Sequence, residues 1–258
     1  MNIVVCVKQV PDTWAEKKLG SDKTVDRESV DGVMNELDEY AVEEALKIKE
    51  AQGGEVTVLS MGPDKSVETI RKALSMGADK AVHLVDDALA GSDAIQTSYA
   101  IAKALETLEY DLVICGSEAT DSRMSVRAAL LAERTGKPQL SGARKVTVDG
   151  GKVTIERVTD NGYDVVEAPT PAILSVVEKI NEPRYPSFKG IMAAKSKPLT
   201  TLTLADAGIE ADKVGLANAP SQVVEFANKP PRQAGQIVKD EGDGGTKIAE
   251  FLASQKIV

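Results

Sequence analysis

The chain has 258 residues, enough for one large domain with an appendage, and 42% of them are hydrophobic, enough for a sizeable core. Only 3% are aromatic, so that core must be built from Val, Ile, Leu and Ala. A net charge of −9 argues against general nucleic-acid binding, and no run approaches the length of a membrane span.

The first residues enter a strand pattern at once, Asn2-Ile-Val-Val-Cys-Val7, with no basic n-region, so no signal peptide is expected and a cytoplasmic location is predicted. Lys8 to Met34 reads as a long loop without regular structure, leaving the end of the first strand where open α/β sheets bind ligands. Short apolar runs at Ile3–Val7, Val56–Ser60, Ala81–Val85 and Leu112–Cys115 have the character of strands buried on both faces. Helical patterns lie between and after them, at Asp38–Ala51, Pro63–Met76, Asp93–Leu108 and Ser122–Thr135. This alternation predicts an α/β fold with a Rossmann-like parallel sheet and helices on both faces. Val146, Val148, Val153 and Ile155 alternate around Asp149-Gly-Gly151, a hairpin signal, and a second turn follows at Asp160-Asn-Gly162. Ala172–Val177 returns to a buried strand. Residues 201–258 read as an extended arm with a short terminal helix near Ile248–Leu252, apart from a core over 1–200.

The two cysteines, Cys6 and Cys115, end strand patterns and read as small buried hydrophobes, and the single histidine, His83, as a structural residue. No nucleophile–base pair for a hydrolase is visible.

A strand ends at Gly116, and the segment to Arg127 leads into a helix that Asp121 or Ser122 would cap. Helix starts carry free N–H groups and bind phosphate, while Arg123 and Arg127 would be disfavoured there without an anion. Pairing of these arginines with Glu118 or Asp121 explains them equally well.

Residues 181–195, Asn-Glu-Pro-Arg-Tyr-Pro-Ser-Phe-Lys-Gly-Ile-Met-Ala-Ala-Lys, hold two prolines, which argues against a regular helix or a central strand. An irregular loop with this much apolar surface either folds back on the core or docks on something.

That stretch resembles the partner-recognition loop of the electron-transfer flavoprotein β subunit. Ile155-Glu-Arg-Val-Thr-Asp-Asn-Gly-Tyr-Asp-Val-Val-Glu-Ala-Pro-Thr-Pro and Val5-Cys-Val-Lys-Gln-Val-Pro-Asp-Thr13 are similar to two further segments of the family, and Ala41–Leu46 and Glu68–Asp79 to two more. The resemblance implies an adenine-nucleotide α-hydrolase-like fold and a heterodimer with an α subunit that holds most of the FAD. It implies electrons from acyl-CoA or other dehydrogenases and a quinone oxidoreductase downstream, with no bond-making chemistry in this subunit. It implies a site for AMP, or for a second FAD in electron-bifurcating members. That site would comprise Cys6, Asn35, Glu36, Leu37, Asp38, Met61, Gly116, Ser117, Glu118, Ala119, Thr120, Asp121, Ser122, Arg123, Met124, Ser125, Val126 and Arg127. The family's usual Gly-Lys/Arg-Gln-Ala-x-Asp-x-Asp is replaced here by Gly116-Ser-Glu-Ala-Thr-Asp-Ser-Arg. Thr13 and Trp14 would lie near the α-subunit FAD. Arg184, Tyr185, Phe188, Lys189, Ile191 and Met192 would meet the dehydrogenase, with Phe188 in the place of an anchoring leucine and the basic residues steering acidic partners. A stand-alone sensor of AMP or ATP is the competing expectation, and it leaves the 181–195 loop without a purpose.

Overall fold

The apolar runs become the middle of a nine-stranded sheet in the order β11-β5-β4-β1-β6-β10-β7-β8-β9. Here β1 is Asn2–Cys6, β4 Glu55–Met61, β5 Lys80–Leu84, β6 Leu112–Gly116 and β10 Ala172–Val176. These pair in parallel, and β6 and β10 are buried along their whole length. The computed structural model describes residues 1–232, 235 and 237–257. It divides into one compact unit over Met1–Val224 and a second over Glu225–Val258.

Helix α1 (Glu36–Gln52) and α2 (Val67–Met76) cover one face of the sheet, where Ala41, Val42, Ala45, Ile70 and Leu74 join Ile3 and Val5 in one core cluster. Helix α3 (Ala94–Leu105) and α4 (Arg127–Thr135) cover the other, where Ile101, Leu105 and Leu131 pack on Val4, Cys6, Val113 and Cys115. The chain therefore winds outward from β1 to β4 and β5 on one side, then crosses to β6 on the other. The C-terminal ends of β1 and β6 flank this reversal, the place where open α/β sheets bind ligands. Asp93 closes a capping box with Gln96 at the start of α3, and Gly77, with φ of 141°, ends α2.

The hairpins form as the turns predict. Strands β7 (Gln139–Asp149), β8 (Lys152–Thr159) and β9 (Gly162–Pro169) pair antiparallel, with Gly150 and Gly151 at positive φ in the first turn. They extend the main sheet, because β7 pairs in parallel with β10 through its first half.

Four expectations about the fold need correction. Residues 8–34 are not structureless: β2 (Gln9–Pro11) and β3 (Gly32–Met34) form a two-stranded ladder that closes the loop's neck. Residues 201–224 belong to the first unit. Strand β11 (Leu199–Leu202) pairs with β5, and Leu204, Ala207, Ile209 and Val214 are buried in the core. The 181–195 segment does contain a helix, α5 (Phe188–Ala194), which begins after both prolines and is capped by the Ser187 hydroxyl accepting from Gly190 N–H at 3.0 Å. The fourth concerns the start of α4 and is taken up with the site.

In the second unit, α6 (Gly244–Ser254) carries Ile248, Phe251 and Leu252 one turn apart, and none of its residues is buried. The parts of the predicted arm at 233–234, 236 and 258 lie outside the described residues. Among the described residues no helix is long and apolar enough to cross a membrane.

Candidate functional site

The site is built where β1 and β6 end. Asn35 stands at the start of α1, but its side chain does not cap that helix. It crosses to the β6 loop instead, donating from Nδ2 to the Glu118 carbonyl at 2.8 Å and accepting from Thr120 N–H at 3.1 Å. Gly116 makes the close approach: a Cβ there would stand 2.6 Å from Asp38 Oδ1 and from the Leu37 carbonyl oxygen. The resemblance thus places Asn35–Asp38 and Gly116–Thr120 in one constellation, and the fold brings them into contact.

The loop after Gly116 does not run straight into a helix. Arg123 and Ser125 have φ of 49° and 54°, left-handed values that break any helix beginning at Ser122. Helix α4 begins at Arg127, with no side-chain cap. Asp121 cannot serve as that cap, because its buried carboxylate is shared between Lys8 Nζ at 2.9 Å and the Arg27 guanidinium. Arg123 lies in the loop, 3.3 Å from Glu118, whose other oxygen accepts from the Ser125 hydroxyl at 3.0 Å. Only Arg127 is at the helix start. It faces Asp38, Cys115, Cys6 and Asp121 at longer range and forms no salt bridge among the described residues.

A groove of about 450 Å³ opens beside this loop. It is lined by Glu36, Leu37, Ser117, Glu118, Thr120, Arg123 and Ser125, together with Tyr40 and Glu178. Asp38, Ala119 and the Asp121 carboxylate are buried and do not line it. Cys6 and Cys115 are register partners on adjacent strands with both thiols buried in the core, so Cys6 can offer only backbone. Met61 packs on the second core cluster away from the groove, while Ser122 and Met124 point outward and Val126 is half-buried. His83 is buried, with Nε2 2.9 Å from the Gly62 carbonyl oxygen, and burial lowers its pKa, so it is a structural residue.

The donor set fits a nucleotide. The Thr120 hydroxyl is buried without a hydrogen-bond partner among the described residues, and three carboxylates in the groove wall, Glu36, Glu118 and Glu178, suit ribose hydroxyls or a base amine. Among the described residues no group of three or more metal-ligating side chains gathers.

Asp38 is the electrostatic oddity. Burial raises its carboxyl to about 6, against the opposing pull of Arg127, Asn35 and the Lys8 N–H. The folded pKa lies above the unfolded one, so the folded chain holds this proton more tightly. Its contribution to stability is present at low pH and lost as pH rises through about 6. Asp38→Asn should therefore stabilise the free chain at pH 7 by about 1–3 kcal/mol, and change little near pH 4, where the acid is already neutral. Thermal melts at the two pH values check this; an equal gain at both would mean that the charge is not the cause.

Trp14 is 96% exposed at the same end of the sheet, and Thr13 donates to Glu36 Oε1 at 3.0 Å. Among the described residues the Trp14 side chain packs on no core cluster. The 181–195 segment turns Tyr185 (95% exposed), Phe188 (81%), Ile191 and Met192 outward, and buries only Ala194. Arg184 does not present its charge as the sequence predicts: its guanidinium is held between Glu43 and Glu50 of α1. Lys189 and Lys195 remain exposed.

Sequence reasoning missed Lys8, Arg27, Tyr40, Glu178 and the Glu43–Glu50 pair. Only the last left a signal. Glu43 and Glu44 interrupt the buried stripe of α1, and acidic residues in such a position are rarely buried without a partner.

The electron transfer flavoprotein domain model matches residues 22–207. The chain is 56% identical to the electron transfer flavoprotein subunit beta of Mycobacterium bovis, covering 100% of this chain and 99% of the relative. It is 41% identical to the protein of that name from Thermoanaerobacterium thermosaccharolyticum, over 92% of each chain. It is 35% identical to the Caffeyl-CoA reductase-Etf complex subunit CarD of Acetobacterium woodii, over 98% of this chain and 96% of the relative. The family match spans most of the chain and the relatives match along nearly its whole length, so the chain belongs to the electron transfer flavoprotein family as a β-subunit member.

Proposed function

We propose that this chain works as one half of a heterodimeric electron carrier in the cytoplasm. It pairs with an α subunit that holds most of the FAD. It takes electrons from acyl-CoA or other dehydrogenases and passes them to an acceptor such as a quinone oxidoreductase. The observation that carries this reading is Phe188, fully displayed on a helix whose flanks are tied to α1 and α2. A large apolar side chain held in water on an ordered segment is a docking element. The relative from Acetobacterium woodii is named as part of a complex with a CoA-ester reductase, which favours CoA-linked partners here too.

FAD, when bound, supplies the ring that accepts and gives up electrons. This chain's residues bind and orient. Thr13 and Trp14 form an exposed edge suited to cover the flavin or the partner. Ser117, Thr120, Arg123 and Ser125 line the groove as candidate phosphate ligands, with Glu36 and Glu118 as acceptors for a nucleoside.

Co-expression with the α subunit tests the whole reading. A yellow heterodimer should form, and mass spectrometry after denaturation should find one FAD and one AMP per pair. Two FADs would replace AMP in the reading and make the carrier electron-bifurcating. A chain that ignores the α subunit yet binds AMP or ATP alone would overturn the carrier reading in favour of a sensor.

A further inference from the structure

Helix α5 has seven residues, too few to hold its shape unaided. Its surroundings hold it. On the N-terminal side, Asn181 Nδ2 donates to the Tyr40 carbonyl oxygen at 3.1 Å and to Glu44 Oε2 at 3.0 Å. Arg184 makes the larger contribution. Its backbone N–H and Nε both donate to Glu43 Oε2, at 3.1 and 2.8 Å, and Nη2 donates to Glu43 Oε1 at 2.9 Å. Nη1 and Nη2 also donate to the two Glu50 oxygens, at 2.5 and 3.2 Å. Glu43 and Glu50 lie two turns apart on one face of α1, a spacing that a single guanidinium can bridge.

On the C-terminal side, Arg71 Nη1 donates to the carbonyl oxygens of Ala194 and Lys197, at 2.6 and 2.9 Å. Lys197 Nζ in turn donates to the carbonyl oxygens of Leu74 and Ala78, at 2.8 and 2.6 Å. Gly190 lies against α2, where a Cβ would collide with the Ser75 carbonyl oxygen.

Between these ties four large apolar side chains, Tyr185, Phe188, Ile191 and Met192, are exposed. Ordering such side chains at the moment of contact weakens binding, and ordering them beforehand removes that cost. Two carboxylates surround one guanidinium, so the site's net charge is negative and Arg184 has no free charge to offer a partner.

We propose that Arg184 is a positioning residue: by gripping Glu43 and Glu50 it fixes Tyr185 and Phe188 in the arrangement a dehydrogenase meets, and the partner does not read its charge. This inference rests on the docking role of that face, and the test separates the two.

The experiment uses the complete flavin-loaded heterodimer and an acyl-CoA dehydrogenase as the probe. Arg184→Lys keeps the charge but cannot bridge two carboxylates. The Glu43→Gln, Glu50→Gln pair frees the arginine and makes the surface more positive by two charges. Positioning predicts that both variants raise the KM for the carrier, on the order of tenfold, with kcat little changed. Both should also speed hydrogen exchange at 185–195. Charge steering predicts a wild-type Arg184→Lys and a lowered KM in the glutamine pair, and either result overturns the proposal. Glu50→Gln alone, at an exposed position, gives the same reading should loss of the buried Glu43 charge impair folding. Phe188→Ala is the control. If it is silent, the docking reading itself fails; if it is defective while Arg184→Lys is normal, only the positioning role fails.

Discussion

Phe188→Ala is expected to cost the reaction with a dehydrogenase about 2 kcal/mol or more, roughly 30-fold in kcat/KM, while leaving the fold intact. Phe188 is 81% exposed and belongs to neither core cluster. Its removal should therefore shift unfolding by less than about 1 kcal/mol, as surface changes generally do. It stands at the first position of α5, directly after the Ser187 cap, so the backbone hydrogen bonds that form the helix do not depend on its side chain. Flavin content and absorption spectrum should match the parent, because Phe188 does not line the groove. Steady-state kinetics against one dehydrogenase, with melts and flavin counts on the same preparations, decide the matter. A mutant that melts early or loses flavin yet reacts normally would put Phe188 in the protein's own structure.

The parts of this fold that sequence reveals are those whose stability is local and repetitive. Strands β1, β4, β5 and β6 are short apolar runs because helices bury them from both sides, and that environment writes itself into consecutive residues. The Asp149-Gly-Gly151 turn is equally legible, because positive φ at both glycines demands that residue type. Where the sequence misleads, a long-range partner has overridden a local preference. Asp121 has the chemistry of a helix cap but is taken by Lys8 and Arg27, more than ninety positions away. Helix α4 then starts at Arg127, after two left-handed residues that no propensity scale favours. Proline obscured α5 in another way: Pro183 and Pro186 exclude helix only where they stand, and Ser187 begins one immediately after. Strand β11 has few buried positions of its own and exists because β5 offers it an edge.

The candidate site was legible as a location and only partly as a mechanism. Strand–glycine–polar loop marks a ligand end in any open α/β sheet, and Gly116 meets α1 as that pattern requires. The role of Asn35 as a tie between α1 and the β6 loop could not be read, since Glu118 and Thr120 lie more than eighty positions away. The same holds for Arg184, whose positive charge looks available until Glu43 and Glu50 are found beside it. Helix α1 carries both arrangements. Its first turn forms a wall of the nucleotide groove and its middle turns hold the docking segment.

Deleting residues 225–258 is expected to weaken association with the α subunit by about 100-fold or more without unfolding the rest of the chain. The first unit, Met1–Val224, contains all of the nine-stranded sheet and both core clusters, so it retains its stabilising contacts. The second unit keeps Phe226, Ile237, Val238, Ile248, Phe251 and Ile257 exposed. Burying a side chain of this size contributes about 1.5–3 kcal/mol, so covering three of them gives roughly 5 kcal/mol or more. Ordering the arm and its side chains offsets part of that gain, and about 3 kcal/mol net corresponds to the stated 100-fold. Titration of the α subunit with full-length and truncated chain, read by flavin retention and by size-exclusion chromatography, measures the effect. The melting temperature of the truncated chain alone should stay within a few degrees of the parent's. A truncated chain that still forms a tight, fully flavin-loaded heterodimer would show that the exposed apolar residues of the arm serve some other contact.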